Sequence, residues 1–256
     1  SDSTTSLEPL KRLKNYKFSN LHHVLLVAKP TAAAQSSCSA AASSSTSSIS
    51  APTRNTGVFG SAPSELAMIH DIPYPLVLLQ RYLEDEEVSH QGFKQPGILR
   101  QEGADVLIKE IIVVFDKQGK HPKDLEQTYD VLKKHLVKQE SGSVVFAVCS
   151  AIKRFFEQMP QRLLDTVSQS VIDECSVCAS SVAQLPDKMM AASKENALYV
   201  RIFQWLIEFL FCIAQHQSTN KMNEQNLSIV FSPLLFEVDP TNLMAVIGTT
   251  KKITAI

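Results

Sequence analysis

Glycine is scarce, at 8 of 256 residues. A fold made of many tight turns needs more, so the shortage points to helices. Charge imbalance is missing too. The formal net charge of −1 gives no support to a nucleic-acid or membrane-surface partner drawn by bulk charge. The chain has no Walker loop, no GxSxG elbow and no HExxH pair, so it lacks the parts to bind a nucleotide by itself. The nearest thing to a membrane span is Trp205 to Ala214. It is too short and contains Glu208, so it reads as a buried helix. No secretory signal opens the sequence, and five cysteines is an odd count. They read as reduced thiols of a cytoplasmic protein. Cys175 and Cys178 form a lone C-x-x-C pair, and His22-His23 has no further ligand at metal spacing, so neither reads as a zinc site.

What is present is a large apolar fraction, 44%, enough for a sizeable core. The length suits one domain plus a tail. Residues 1–30 read as an N-terminal extension, whose Lys11, Arg12, Lys14 and Lys17 form a solvated basic face. Residues 31–56 are rich in Ser, Ala and Thr, with little apolar content to offset ordering entropy, and read as a flexible linker. A compact domain is expected over 57–256. The first residues are Ser-Asp rather than Met, which suggests a trimmed fragment.

Within 57–256 the punctuation and periodicity predict helices. Ile72-Pro73-Tyr74-Pro75 reads as a helix opening, with Pro75 suited to the first turn. Leu76, Leu79 and Leu83 give that helix an apolar face at i, i+3 and i+7. It should fade in the acidic run Glu84 to Glu87. A second helix follows Gly103, with Val106, Leu107, Ile111, Val114 and Phe115 on its buried side. Residues 124–138 read helical through Leu125, Tyr129, Leu132 and Leu136. Gly142 is expected to interrupt before a helix from about Val144 to Phe156. Residues 163–184 look helical but weakly patterned. Residues 196–216 are the most apolar helix, with Arg201, Gln204, Glu208 and Gln215 as a narrow polar stripe. Such a helix belongs in the middle of a bundle. A short helix from Glu224 to Val230 should stop before Pro233. No strand or repeat is evident, and the expected class is all-α, an irregular helical bundle.

One loop stands out between two long helical patterns: Gln95-Pro96-Gly97-Ile98-Leu99-Arg100-Gln101-Glu102-Gly103. Pro96, Gly97 and Gly103 punctuate it. Ile98 and Leu99 are apolar and should hold it down, leaving Arg100 as an always-charged tip whose planar fork of donors suits phosphate oxygens. Taken alone, Arg100 reads first as a surface arginine of a connecting loop.

Three further stretches extend that reading. They are Ala151-Ile152-Lys153-Arg154-Phe155-Phe156-Glu157-Gln158-Met159-Pro160-Gln161-Arg162-Leu163-Leu164, Asn220-Lys221-Met222, and Asn226-Leu227-Ser228-Ile229-Val230-Phe231-Ser232-Pro233-Leu234-Leu235. In order and spacing these and the arginine loop resemble a Rho-family GTPase-activating domain, whose pattern runs GIFRxxG, LKxFLRxLPxPL, NKM and NLAxVFGPxL. Val58-Phe59-Gly60 and Ile72-Pro73 resemble the start of that domain, so the resemblance covers about 57–256.

The resemblance implies a helical domain that binds a Rho/Rac-type small GTPase in its GTP-bound state and lends it Arg100 as a catalytic arginine finger. GTP and Mg then belong to the partner, and this chain needs no cofactor of its own. Lys153 matches the family lysine that holds the loop and meets the partner. Asn226 matches the asparagine that contacts the GTPase. Lys221 falls within the partner-binding region, although with Asn220 it also reads as a turn former. Glu157 replaces the usual Arg of the FLR segment and reverses a charge on the expected docking face. That implies weakened binding or a changed choice of GTPase. Arg162, in place of the second Pro, is expected to restore some positive charge nearby. The family pattern continues past Ile256 into a final helix. Glu157 also motivates the alternative of a module that engages a Rho-type GTPase without accelerating hydrolysis.

Overall fold

A computed structural model describes residues 57–137, 141–165, 167–177, 184–192 and 196–236. The fold is all-α. The expectations for His22-His23, the basic run, the Ser-rich segment and Cys178 lie outside the described residues.

One element went unseen in the sequence. Met68–Ile69 (β1) pairs antiparallel with Ile72–Pro73 (β2), with Ile69 opposite Ile72. The two turn residues, His70 and Asp71, both have left-handed φ, 52° and 65°, as a tight two-residue hairpin requires. Ile72-Pro73 is therefore a strand that runs straight into the expected helix, with Pro73 as the residue that precedes its first turn. Two residues per strand are too few to show alternation. The hairpin seats on the rest of the fold through Ala67 N–H, which donates to the Lys120 carbonyl at 2.8 Å.

Helix α1, Tyr74–Glu84, carries Pro75 in its first turn and buries Leu76, Leu79 and Leu83, as the spacing predicts. The acidic run ends it, and a single turn, α2 (Glu86–Ser89), follows. Helix α3, Asp105–Gln118, buries Leu107, Ile108, Ile111, Val114 and Phe115. Val106, expected on that face, is 67% exposed. At 100° per residue it points away from the stripe that Leu107, Ile111 and Val114 define. Gly119 closes α3 with φ +75° and ψ −179°, a backbone conformation essentially limited to glycine. Helix α4, Leu125–Leu136, starts from Asp124, whose carboxylate accepts the Glu126 and Gln127 N–H groups.

Helix α5, Ser141–Gln158, contains Gly142 instead of being interrupted by it. The glycine falls in the first turn, where N–H groups have no intrahelical acceptor, so it costs least there. Along α5, Val144, Val145, Ala147, Val148, Ala151, Ile152, Phe155 and Phe156 are all buried. It packs on α1, α2 and α3 and is the central helix. That place was expected for the helix over 196–216. This one, α8 (Asn196–Ala214), buries Ile202, Leu206, Phe209 and Ile213 but leaves Ile207 and Leu210 half-buried. It is long and apolar enough to cross a membrane by length and composition alone, contrary to the reading of its core as too short. Between α5 and α8, the weak pattern over 163–184 resolves into turns at 163–165 and helix α6, Gln169–Val177. Helix α7, Leu185–Ala192, packs on α8. After α8 come a single turn, α9 (Gln217–Asn220), and α10, Glu224–Phe231. A 3-10 turn over Ser232–Leu234, with Pro233, is the last element before the described residues end at Phe236.

Aromatic contacts run through the core. Phe59 meets Phe115 and Phe155 at centroid distances of 5.8 and 5.7 Å, and Tyr74 meets Phe115 at 5.8 Å. Phe155 touches Phe156, which meets Trp205 at 6.3 Å and Phe231 at 6.1 Å. Trp205 stacks on Phe209, and Phe209 meets Phe93. Each such pair adds about 0.5–1.5 kcal/mol beyond its area burial. The series ties Phe59, α3, α5, α8, α10 and the residues just before the arginine loop into one rigid frame.

Candidate functional site

The arginine loop is held from below and from both sides. Ile98 and Leu99 are fully buried while Arg100 is exposed, as the apolar pair predicts. Gly97 has φ +75° and Leu99 φ +64°. A non-glycine residue in the left-handed region costs on the order of 1 kcal/mol, and the burial of Leu99 offsets it. This twist turns Leu99 inward and Arg100 outward within one residue. Gly97 N–H donates to the Asn220 carbonyl at 2.8 Å, which joins the loop to the α9 turn.

Asn220 is itself fully buried and satisfied. Its amide donates to the carbonyls of Phe93 (2.9 Å) and Ile213 (2.8 Å), and its side-chain oxygen accepts Met222 N–H at 2.8 Å. The Asn-Lys-Met segment is thus a turn whose asparagine fastens α8, the arginine loop and the start of α10 together.

On the other side lies α5. The Lys153 ammonium donates to the Leu99 carbonyl at 3.1 Å and pairs with Glu102. Lys153 is buried, and two of its three donors are committed inside the chain. Ser150 Oγ donates to the other Glu102 oxygen at 2.8 Å and accepts Gly103 N–H at 3.0 Å. Gly103 is glycine for reasons of space, because a Cβ there would come within 2.3 Å of the Ala147 Cα. Partial burial raises the Glu102 pKa. The hydrogen bonds from Lys153 and Ser150 and the charges of Lys153 and Arg154 outweigh that, and the carboxyl titrates below its ordinary range.

Leu99, Arg100, Glu102, Ser150, Lys153, Arg154, Glu157, Val230 and Leu234 line a cleft of about 290 Å³. Its charges are mostly paired off: Lys153 with Glu102, and Arg154 with Glu157 at 2.9 Å. Among the described residues the Arg100 guanidinium has no hydrogen-bond or ion-pair partner. It is the lining cation left to meet an incoming anion.

The structure therefore gathers Arg100, Lys153 and Glu157 at one cleft. Asn226 lies on α10 one turn before Val230, outside the lining. Its amide donates to the Lys221 carbonyl at 3.2 Å, and its N–H is capped by Asn223. Lys221 has φ +63°, and its ammonium folds back onto the Ser218 carbonyl at 2.6 Å. Arg162 is not brought into the cleft. Its guanidinium donates to the Leu234 carbonyl at 3.2 Å and its N–H to Asp165. The cation in contact with Glu157 is Arg154, and Arg162 stands at the edge of the lining through Leu234. The sequence reading missed Glu102, Ser150 and Arg154 as parts of the site. Only the i, i+3 spacing of Arg154 and Glu157 was visible in the sequence.

Comparison with known proteins gives a consistent result. The family model described as the RhoGAP domain matches residues 85–240, more than half of the chain. The Rho GTPase-activating protein gacA of Dictyostelium discoideum is 26% identical over 196 residues, covering 74% of this chain and 48% of that protein. Rho GTPase-activating protein 2 of Arabidopsis thaliana is 26% identical over 195 residues, covering 74% of this chain and 38% of that one. This chain thus spans about half or less of the length of these curated relatives. Among solved structures, the BH domain from GRAF, the GTPase regulator associated with focal adhesion kinase, superposes with a TM-score of 0.50 at 16% identity. It covers 71% of this chain and 90% of that one.

Proposed function

Because this chain belongs to the RhoGAP domain family, we propose that it accelerates GTP hydrolysis by a Rho/Rac-type small GTPase in its GTP-bound state, inserting Arg100 into the partner's active site. The observation that carries this reading is the state of Arg100: exposed, on a loop whose preceding residues are buried, and a cleft cation without a partner among the described residues. Hydrolysis spreads negative charge over the phosphoryl oxygens and the leaving group. A guanidinium already held in place stabilises that charge without reorganising. The nucleotide and Mg sit on the partner, and this chain contributes position and charge. Lys153 fixes the loop, and α10 with Asn226 offers the adjoining docking surface.

The test is single-turnover GTP hydrolysis on a panel of Rho-type GTPases, with wild type, Arg100→Ala and Arg100→Lys. Wild type should accelerate at least one, and both variants should lose most of the effect, since lysine lacks the forked geometry. A wild type that accelerates none, or an Arg100→Ala variant as fast, ends this reading.

Glu157 supports a second reading, a module that binds the GTPase without stimulating it. Glu157 stands at the cleft with a charge opposite to the family pattern, and it occupies Arg154. That reading predicts capture of the GTP-loaded partner with an unchanged hydrolysis rate. Pulldown and turnover on the same panel separate the two.

A further inference from the structure

We propose that Glu102 and Ser150 are positioning residues for Arg100, acting through Lys153 and the loop backbone. This rests on the reading of Arg100 as the working group.

The bonds form a chain that brackets Arg100. On one side the Leu99 carbonyl is held by Lys153 Nζ, and Lys153 is held by Glu102. On the other, Gly103 N–H is held by Ser150 Oγ, which also donates to Glu102. Glu102 is the shared member. It lies two residues after Arg100 and reaches across to α5, so the loop is fastened to one rigid helix on both sides of Arg100. The Lys153 ammonium is buried and needs a counter-charge to stay in place. Glu102 is the carboxylate that provides it. Without Glu102 the ammonium has reason to leave for solvent, and the Leu99 carbonyl loses its partner. The left-handed twist at Leu99, which aims Arg100 outward, is then held by packing alone. Gly103 against Ala147 leaves the loop no room to settle closer to α5.

A residue that positions the arginine should lower the rate at saturation and leave docking alone. The experiment is single-turnover hydrolysis by a responsive GTPase, titrated with the full chain carrying Glu102→Ala, Ser150→Ala, both, or Glu102→Gln. Small misplacements of a catalytic group cost up to about a hundredfold. We expect roughly a tenfold lower saturating rate for Glu102→Ala, with the half-saturating concentration within about twofold. The double variant should be no worse than Glu102→Ala alone, because the two residues act through one network. Glu102→Gln keeps the side-chain shape and one of the two accepting oxygens, and should lose less than Glu102→Ala. Amide exchange over residues 98–103, measured without partner, should quicken in Glu102→Ala and stay unchanged in Arg100→Ala.

Wild-type saturating rates in both single variants, with Arg100→Ala inactive, overturn the positioning role and leave the reading of Arg100 standing. A change confined to the half-saturating concentration also overturns it, because Glu102 would then be a docking residue. Unchanged exchange in Glu102→Ala overturns the clamp itself. An Arg100→Ala variant as active as wild type removes the reading of Arg100 and the positioning role with it, while the exchange data still report whether Glu102 holds the loop.

Discussion

The arginine loop and the Asn-Lys-Met turn are neighbours built on the same backbone device, and they put it to opposite uses. Each has one non-glycine residue in the left-handed region, Leu99 at φ +64° and Lys221 at φ +63°. Each carries an exposed cation, and the hydrogen bond from Gly97 to Asn220 joins them. In the first, the strained residue is a buried leucine and the cation beside it has no partner among the described residues. In the second, the strained residue is the cation itself, and its ammonium turns back onto the Ser218 carbonyl. A group with unspent donors on a fastened base is prepared to meet a ligand. A group that caps its own turn has already spent part of that capacity. Exposure alone would rank the two cations alike, but their hydrogen bonding separates them.

The most severe test of this contrast exchanges each cation for alanine. Arginine fingers are worth about 10³–10⁵ in rate for GTPases in general. Arg100→Ala should lose at least about a thousandfold of the acceleration on a responsive GTPase, and Lys221→Ala less than about twofold, by single-turnover assay. Comparable losses would show that both cations serve the partner and would dissolve the contrast. Next in size is the residue that joins the two turns. Asn220→Ala strips two carbonyls and one N–H of their partner in a fully buried place. Each unsatisfied buried group costs about 1–3 kcal/mol before relaxation and water recover part of it. A loss of about 2–4 kcal/mol in urea denaturation is expected. A loss under 1 kcal/mol would mean that the two turns stand without their shared asparagine.

A smaller effect is expected at the rim. Arg154 and Glu157 are about half-exposed and paired, so the pair contributes little to stability, about 0–1 kcal/mol. On the proposed function its consequence would be for docking, because Glu157 offsets a cation beside Arg100. Glu157→Arg releases Arg154 and reverses the rim charge. Binding to a GTPase with an acidic opposing surface should tighten by about tenfold, mostly through faster association that weakens with salt. Equal affinity at low salt, by surface plasmon resonance, would remove Glu157 from the docking face.

What the sequence disclosed was what local pattern can carry. The stripes at Leu76, Leu79 and Leu83, the stop at Pro233 and the apolar pair under Arg100 are all readable over a few residues. So is the order of the four motifs that gave the family. The clamp around Arg100 was not readable. Glu102 and Ser150 are 48 positions apart, and no linear spacing announces a hydrogen bond across that gap. Central position was misjudged for a related reason. Hydropathy ranks α8 as the most apolar helix, but α5, with Ala147 and Ala151 among its valines and phenylalanines, is the one that its neighbours approach closely. Composition reports how apolar a helix is, and packing depends on which side chains let a neighbour in. The hairpin at Met68–Pro73 is too short for any periodicity, and no motif position announces that the Arg162 guanidinium holds the carbonyl of Leu234, a residue of the cleft lining.

The smallest expected effect tests the shared backbone device at the place where it is separable from burial. Lys221→Gly removes a left-handed penalty of about 1–2 kcal/mol. Against that stand the extra freedom of an unfolded glycine, about 0.5–1 kcal/mol, and the loss of an exposed hydrogen bond to Ser218 worth a few tenths. The balance is a gain of about 0.5 kcal/mol, read as a higher urea midpoint at unchanged slope. The same change at Leu99 should destabilise, because its buried side chain outweighs the relief of strain. Opposite signs at two positions with nearly equal φ would show that strain is tolerated at the turn and held by burial under Arg100. A Lys221→Gly loss above 1 kcal/mol would instead give the Ser218 bond a structural role, and the two turns would differ less than their geometry implies.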